Sequence, residues 1–344
     1  MDGLCEVDGG QQGPLFSILG GGALLLERLS LTNFYNTNGG VITSVGTLVI
    51  NACNMSRNHA SESGGVLHAT NGGRVTIINS IMTHNTATDY GGVAYIGSSD
   101  DDGHDYDDEI YSGDVSISEC TITENTAWDG GVAYIKSSGN VSISECTMTG
   151  NTAARLVGMS VRGNAKRRNE NLLGHGDGAM VSQNGGVAYI ATSDDVSSNR
   201  YTAYEDYGGV GYSDLVSISE CTMTENTALY GGVAYIYSRG KVSISECTMT
   251  RNTAAEDGGV ASISSTVDVS ISECTMTGNT ATGSSGGVAS ISYSGDVSIS
   301  ECNMTGNTAY ENGGVAYIER CSGDVSISEC TMTGNTAAQV GGAL

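Results

Sequence analysis

The sequence predicts an all-β chain: a right-handed parallel β-helix, wound as one rod of about 11–12 coils with three short strands per coil. Three observations predict it. The chain repeats itself with a period of 26–28 residues. Apolar residues inside each repeat alternate with period two, the signature of strand and not of helix. Proline, which cannot donate to a β ladder, occurs once in 344 residues.

Composition agrees and removes other classes. Gly occurs 50 times, without the strict third-residue period and abundant proline of collagen. Apolar residues make up 39% of the chain, too many for a disordered acidic segment. Lys and Arg total 14 against 38 Asp and Glu, a net charge of −24. That sign is opposite to the basic footprint of a nucleic-acid binder, so no nucleic-acid partner is expected.

The first repeated unit is Gly-Gly-Val-Ala-Tyr-Ile, beginning at Gly91, Gly130, Gly185, Gly231 and Gly313, with variants at Gly64, Gly208, Gly258 and Gly286. The second is Val-Ser-Ile-Ser-Glu-Cys-Thr-Met-Thr. It places a cysteine at Cys120, Cys146, Cys221, Cys247, Cys274, Cys302 and Cys330, with a degenerate copy at Cys53. Three places depart from the period. Residues 97–113 form an acidic insertion loop. Residues 154–184 form a degenerate coil or a loop. Residues 185–207 read as a coil that kept its Gly pair and has Tyr201 in the cysteine position. Residues 1–38 read as an N-terminal capping coil, with the apolar run Leu15 to Leu26 closing the end of the rod.

Within a repeat, Val115 and Ile117 alternate with Ser116 and Ser118, and Cys120 and Ile122 with Thr121 and Thr123. Two polar residues in succession, Ser118 and Glu119, shift the phase by one and mark a corner. Val93 to Ile96 opens a third strand just after a Gly pair that suits another corner. A unit this small cannot close its own core, so it stacks on its neighbours, with equivalent residues in ladders about 4.8 Å apart. The right hand follows from the general crossover preference.

The pairing of Gly-Gly-Val-Ala with a later Met-x-x-Asn, as in Met148 to Asn151 and Met332 to Asn335, resembles the chlamydial-type polymorphic outer membrane protein repeat of the pectin-lyase-like superfamily. The resemblance runs from about Gly21 onward. It implies a cell-surface or secreted protein used in adhesion, often ahead of a membrane barrel. The chain stops at Leu344 inside a repeat, which points to a segment of something longer.

The ladders are the candidate sites. The cysteines share a face with Met and Ile and read as small buried apolar residues in the free thiol state. The alternative is a bridge between stacked neighbours, with Cys321, outside the ladder, as a candidate partner for another cysteine. Glu119, Glu145, Glu220, Glu246, Glu273, Glu301 and Glu329 share one corner, where like charges either splay into water or gather a hard cation. The Ca²⁺ candidates are Asp100, Asp102, Asp105, Glu246 and Glu273, and no other cofactor is called for.

With Cys and Met inward, the threonines point outward. Thr121, Thr123, Thr147, Thr149, Thr222, Thr224, Thr248, Thr250, Thr275, Thr277, Thr305, Thr331 and Thr333 form one array, with Asn303 in a Thr place. Its two spacings are roughly 4.8 Å and 6.8 Å by strand geometry. Such a face resembles the ice-binding face of insect antifreeze proteins, although their repeat is much shorter. A second array, Tyr95, Tyr134, Tyr189, Tyr212, Tyr235 and Tyr317, exchanges with Ser262 and Ser290, which predicts partial exposure. Tyrosines in a row can stack on sugar rings or a partner protein, or simply on one another.

Many parallel β-helices act on polysaccharides. The polygalacturonase family has Asn-Thr-Asp, Asp-Asp, Gly-His-Gly and Arg-Ile-Lys elements. Here only Gly174-His175-Gly176 and Asp194-Asp195 are present, so His175, Asp177, Arg167 and Arg168 are the nearest to a catalytic group. A catalytic site is a singular constellation, and repetition argues for an extended surface instead. Met1-Asp2-Gly3-Leu4 lacks the basic start of a secretory signal, and no run is long enough to span a bilayer. Sequons stand at Asn54, Asn140 and Asn303. The sequence reading is therefore a non-enzymatic extracellular or cell-surface scaffold for adhesion, with a glycan or a surface protein as partner. Ice binding through the Thr array is the alternative, and a polysaccharide lyase or hydrolase the second alternative.

Overall fold

Alternation sets the strands. In Val141–Ser144 the two apolar residues are buried and the two serines half-buried, and in Thr147–Thr149 only Met148 is buried. The computed structural model describes residues 4–70, 73–97, 113–136, 138–153, 185, 187–191, 215–238 and 240–342. Among these residues the secondary structure is all β, and every strand pairs in parallel with its counterpart one repeat away. The result is four sheets of 11, 10, 10 and 10 strands, a β-solenoid of about ten turns.

Each turn runs through four sides. A tyrosine side such as Ala133–Lys136 leads to a serine side such as Val141–Ser144. A threonine side, Thr147–Thr149, follows, and then a short side, Thr152–Ala153. The short side is a fourth strand where three were expected. Two residues are too few to show a period, yet Thr152 points out, Ala153 is buried, and both pair with Thr126–Ala127. The core is one continuous cluster of Val, Ile, Met, Cys and Ala down the axis.

Register also corrects the coil count near the middle. Thr147–Thr149 pairs directly with Thr222–Thr224 although 75 residues separate them. Ala188–Ala191 and Leu215–Ser219 supply two sides of that same next turn. The described residues 187–191 therefore share one turn with Leu215–Ser219 and Thr222–Thr224. Tyr201 lies outside the described residues, as do residues 98–112 and 154–184. At the other end, Phe16–Ile18 and Ala23–Glu27 are strands of the first turn, and Cys5–Asp8 adds one more strand to the threonine side.

The corners explain the repeated polar residues. All seven repeat glutamates between the serine and threonine sides are left-handed, with φ between +52° and +54°. That conformation costs a non-glycine residue on the order of 1–2 kcal/mol, and it produces the phase slip read in the sequence. At the corner before the tyrosine side, Gly91 has φ of +64°, and a Cβ there would collide with the Ala94 carbonyl. The second glycine, Gly92, lies against the backbone of the next turn.

A third corner carries an asparagine ladder. Asn58, Asn85, Asn125, Asn151, Asn226, Asn252, Asn279 and Asn307 are fully buried. The Asn125 Nδ2 donates to the Asn151 Oδ1 at 3.0 Å and to the Met82 carbonyl at 3.0 Å, and its backbone N–H donates to the same Oδ1 at 3.1 Å. The pattern repeats at each turn to Asn335, so this buried polar column is satisfied internally.

The cysteine ladder is built the same way. All ten cysteines are free thiols. The Cys221 thiol donates to the Ser219 carbonyl at 3.0 Å and accepts from the Cys146 N–H at 3.5 Å. Ser80 takes the cysteine position in one turn and makes equivalent bonds, donating to the Ile78 carbonyl at 2.8 Å and accepting from the Cys53 N–H at 3.1 Å. Burial pushes the Cys53 thiol above its ordinary range, and Cys330 likewise, which disfavours the thiolate at both. Cys221→Ser is accordingly expected to keep stability within about 1 kcal/mol, whereas Cys221→Val leaves the Cys146 N–H unpaired and costs about 1–3 kcal/mol. Urea melts with and without reductant check both points. A reductant-dependent midpoint would mean that the ladder is bridged.

Candidate functional site: the threonine face

The threonine side is where the repeat puts its most regular exposed chemistry. Met148, Met223, Met249 and Met276 are buried and anchor each short strand from below. The flanking hydroxyls are thereby fixed outward by the pleat. Thr121, Thr147, Thr222, Thr248, Thr275 and Thr331 form an outer rank and are all exposed, with Asn303 in register between the last two. Thr123, Thr149, Thr224, Thr250, Thr277, Thr305 and Thr333 form the second rank, exposed or half-buried. At the one irregular place, the Thr305 hydroxyl donates to the Asn303 Oδ1 at 3.1 Å.

Two features of this face were not read from the sequence. The second rank begins earlier, at Thr83, which pairs with Thr123. A third rank lies around the asparagine corner on the short side: Thr86, Thr126, Thr152, Thr227, Thr253, Thr280, Thr308 and Thr336. The recurring Asn-Thr-Ala was the available signal. No charged residue falls within the first two ranks from Thr121 to Thr333, but charges border them at both corners: the glutamate column at one, and Glu124, Glu225 and Arg251 at the other, where Arg251 pairs with Glu225 at 3.1 Å.

The tyrosine array is different. Tyr95 and Tyr134 are only 6% and 8% exposed, so the expected partial exposure fails for both. Their rings stack 5.4 Å apart at 6°, and His68 stacks on Tyr95 at 4.7 Å and 7°. Tyr90 leans over the pair, 4.5 Å from Tyr134. Burial pushes the His68 imidazole down to about 4, so a neutral ring continues the stack. Tyr235 and Tyr317 are half-buried, and the backbone of Tyr189 holds the same register. Tyr212 lies outside the described residues. Ring-on-ring packing accounts for Tyr95 and Tyr134, which leaves them little surface for a ligand.

The glutamates are exposed, Glu246 and Glu273 included. Among the described residues no three His, Cys, Asp or Glu side chains gather as a metal site. Asp100, Asp102 and Asp105 lie outside the described residues, as do Arg167, Arg168, His175, Asp177 and Asp194-Asp195. Cys321 is half-buried, and its thiol donates to the Glu319 carbonyl at 3.5 Å. No helix among the described residues is long and apolar enough to cross a membrane. No protein-family model, no curated protein and no solved structure matches the chain.

Proposed function

We propose that the protein is a non-enzymatic interaction scaffold of the cell surface or exterior that binds an extended partner through its threonine face. The observation that carries this reading is the continuous register of two outward polar ranks over seven turns, from Thr121 to Thr333, hydroxyls throughout except for Asn303 in the outer rank. A surface that offers the same group at every step suits many weak, equivalent contacts, whose avidity exceeds any one of them. It does not suit a reaction, which needs one singular set of groups. The Gly-Gly-Val-Ala and Met-x-x-Asn elements resemble the polymorphic outer membrane protein repeat, and that resemblance supports an adhesive role. A net charge of −24 supports solubility outside the cell.

The test has two arms. Incubation with polygalacturonate should release neither new reducing ends nor unsaturated products, and turnover would replace this reading with an enzymatic one. Labelled protein should be retained on a glycan array or on particulate ice, cellulose or chitin. Thr222→Lys with Thr275→Lys should weaken that retention tenfold or more. Retention that ignores both lysines would move the function off this face.

A further inference from the structure

We propose that the tyrosine side carries a second, separate binding site: a recess between Tyr235 and Tyr317 that takes two arginine side chains from an extended basic segment of a partner protein. The site lies off the threonine face, so it stands or falls independently of the reading above.

Register makes the recess. Ala234–Tyr237 pairs with Ala261–Ser264, that strand with Ala289–Ser292, and that one with Ala316–Glu319. The outward places of these four strands are Tyr235 and Tyr237, then Ser262 and Ser264, then Ser290 and Ser292, then Tyr317 and Glu319. Earlier in the chain the same column is filled. Tyr95 stacks on Tyr134 with ring centroids 5.4 Å apart, and Tyr235 packs against that cluster. Two turns of serine then leave two ring places vacant. Tyr235 and Tyr317 stand three steps apart, roughly 14 Å, across a floor of serine hydroxyls. Walls and floor are half-buried, so solvent still reaches them.

Charge selects the ligand. The Tyr317 hydroxyl donates to the Glu319 carboxylate at 3.2 Å. Burial raises the Tyr317 phenol, and Glu319 and Asp257 push it further, against the opposing pull of Arg320. Across the recess, Tyr230 leans towards Tyr235 with ring centroids 6.3 Å apart, and burial, Glu256 and Asp257 raise it in turn. Asp257 thus acts on both walls, and Glu319 is part of one. The nearby cation is already engaged: the Arg320 guanidinium lies over the Tyr293 ring at 5.2 Å and donates to the Tyr293 hydroxyl. Those two residues directly follow Ser292 and Glu319, so the rim of the recess itself displays arginine on tyrosine. An anion is repelled here. A neutral sugar can stack on the rings, but only a cation also gains from the carboxylates.

Spacing selects two arginines. A planar guanidinium rests about 3.5–4 Å from the ring it stacks on. One on Tyr235 and one on Tyr317 then stand roughly 7 Å apart. Side chains two residues apart on an extended chain are separated by about 6.6–6.8 Å. The recess therefore matches an Arg-x-Arg segment running along the axis of the solenoid. Guanidinium groups only donate hydrogen bonds, and the serine hydroxyls and the two carboxylates accept them.

The test is calorimetric titration of the full chain, at low salt, with a blocked pentapeptide that has arginine at its second and fourth positions. The wild type should bind with a Kd on the order of 0.1–1 mM, from two cation–π contacts and their carboxylate partners. Ser262→Tyr with Ser290→Tyr fills the recess with the residue that this column uses in other turns. It should weaken binding at least tenfold while the melting temperature holds or rises. Glu319→Gln should weaken binding about threefold. Thr222→Val with Thr275→Val should leave it unchanged, which separates this site from the threonine face. No binding by the wild type, binding indifferent to the filled recess, or equal binding of a peptide with citrulline in place of both arginines overturns the proposal. A preference for a neutral oligosaccharide such as cellopentaose, lost when the recess is filled, overturns it as well.

Discussion

Replacing Asn226 by Leu should destabilise the solenoid by roughly 3–5 kcal/mol, although Leu is apolar and of similar size. Four groups depend on that side chain. The Asn151 N–H and Nδ2 both donate to its Oδ1, at 3.0 and 3.1 Å. Its own Nδ2 donates to the Asn252 Oδ1 and to the Met148 carbonyl. Leucine removes all of these bonds, and at 0% exposure no water replaces them. Two donors on Asn151 are then orphaned, each at about 1–3 kcal/mol. Each turn contacts only its neighbours, so the damage should also divide cooperativity, and two transitions should appear in a urea melt. A single transition shifted by less than about 1 kcal/mol would show that the amide column contributes little.

Gly232→Ala should cost about 3 kcal/mol or more, by a different route. A Cβ at this position meets the Gly259 carbonyl oxygen, and it also lies 2.8 Å from the Thr253 nitrogen and 2.9 Å from the Thr253 carbonyl carbon. All three are backbone atoms of the neighbouring turn, so no rotamer change relieves the clash and the turns must separate. Gly278→Ala is the matched comparison. Gly278 has φ of +64°, but a Cβ there touches only the Arg251 side chain at 3.8 Å, and Glu124, Glu225 and Arg251 hold the same corner in other turns. That substitution should cost only about 1 kcal/mol. Melting temperatures of the two variants decide the matter. Equal losses would mean that close approach of the turns is not what selects the second glycine.

The fold was legible because period-two alternation survives in Val115 to Ile122 and recurs at a fixed interval. The corners were partly legible. Glu119 announced itself by breaking phase, while Asn125 did not, since one polar residue between short runs resembles any loop residue. The role of Asn is set by a neighbour a whole turn away, 26 residues from Asn125 on one side and 40 on the other, and only stacking brings the amides to 3.0 Å. The fourth side was hidden because Thr152–Ala153 is shorter than any period. Tyr95 and Tyr134 misled for a related reason. Exchange of Tyr with Ser in a column suggests water contact, yet the rings of adjacent turns and Tyr90 cover one another. The threonine grid was the most legible feature of the site, because outward Thr follows directly from inward Cys and Met.

The asparagine column also has a direction. Each N–H and Nδ2 points to the Oδ1 of the following turn, from Asn58 to Asn335, so every junction between turns is chemically the same joint. A joint that is everywhere alike does not record how many units it connects. Length is then a free variable of this molecule. Duplication or loss of one whole repeat changes the reach of the rod and the size of its grid by a fixed step, while the new neighbours find the partners the old ones had. A binding strength that grows with the number of turns could thus be tuned by copying, with no new residue invented.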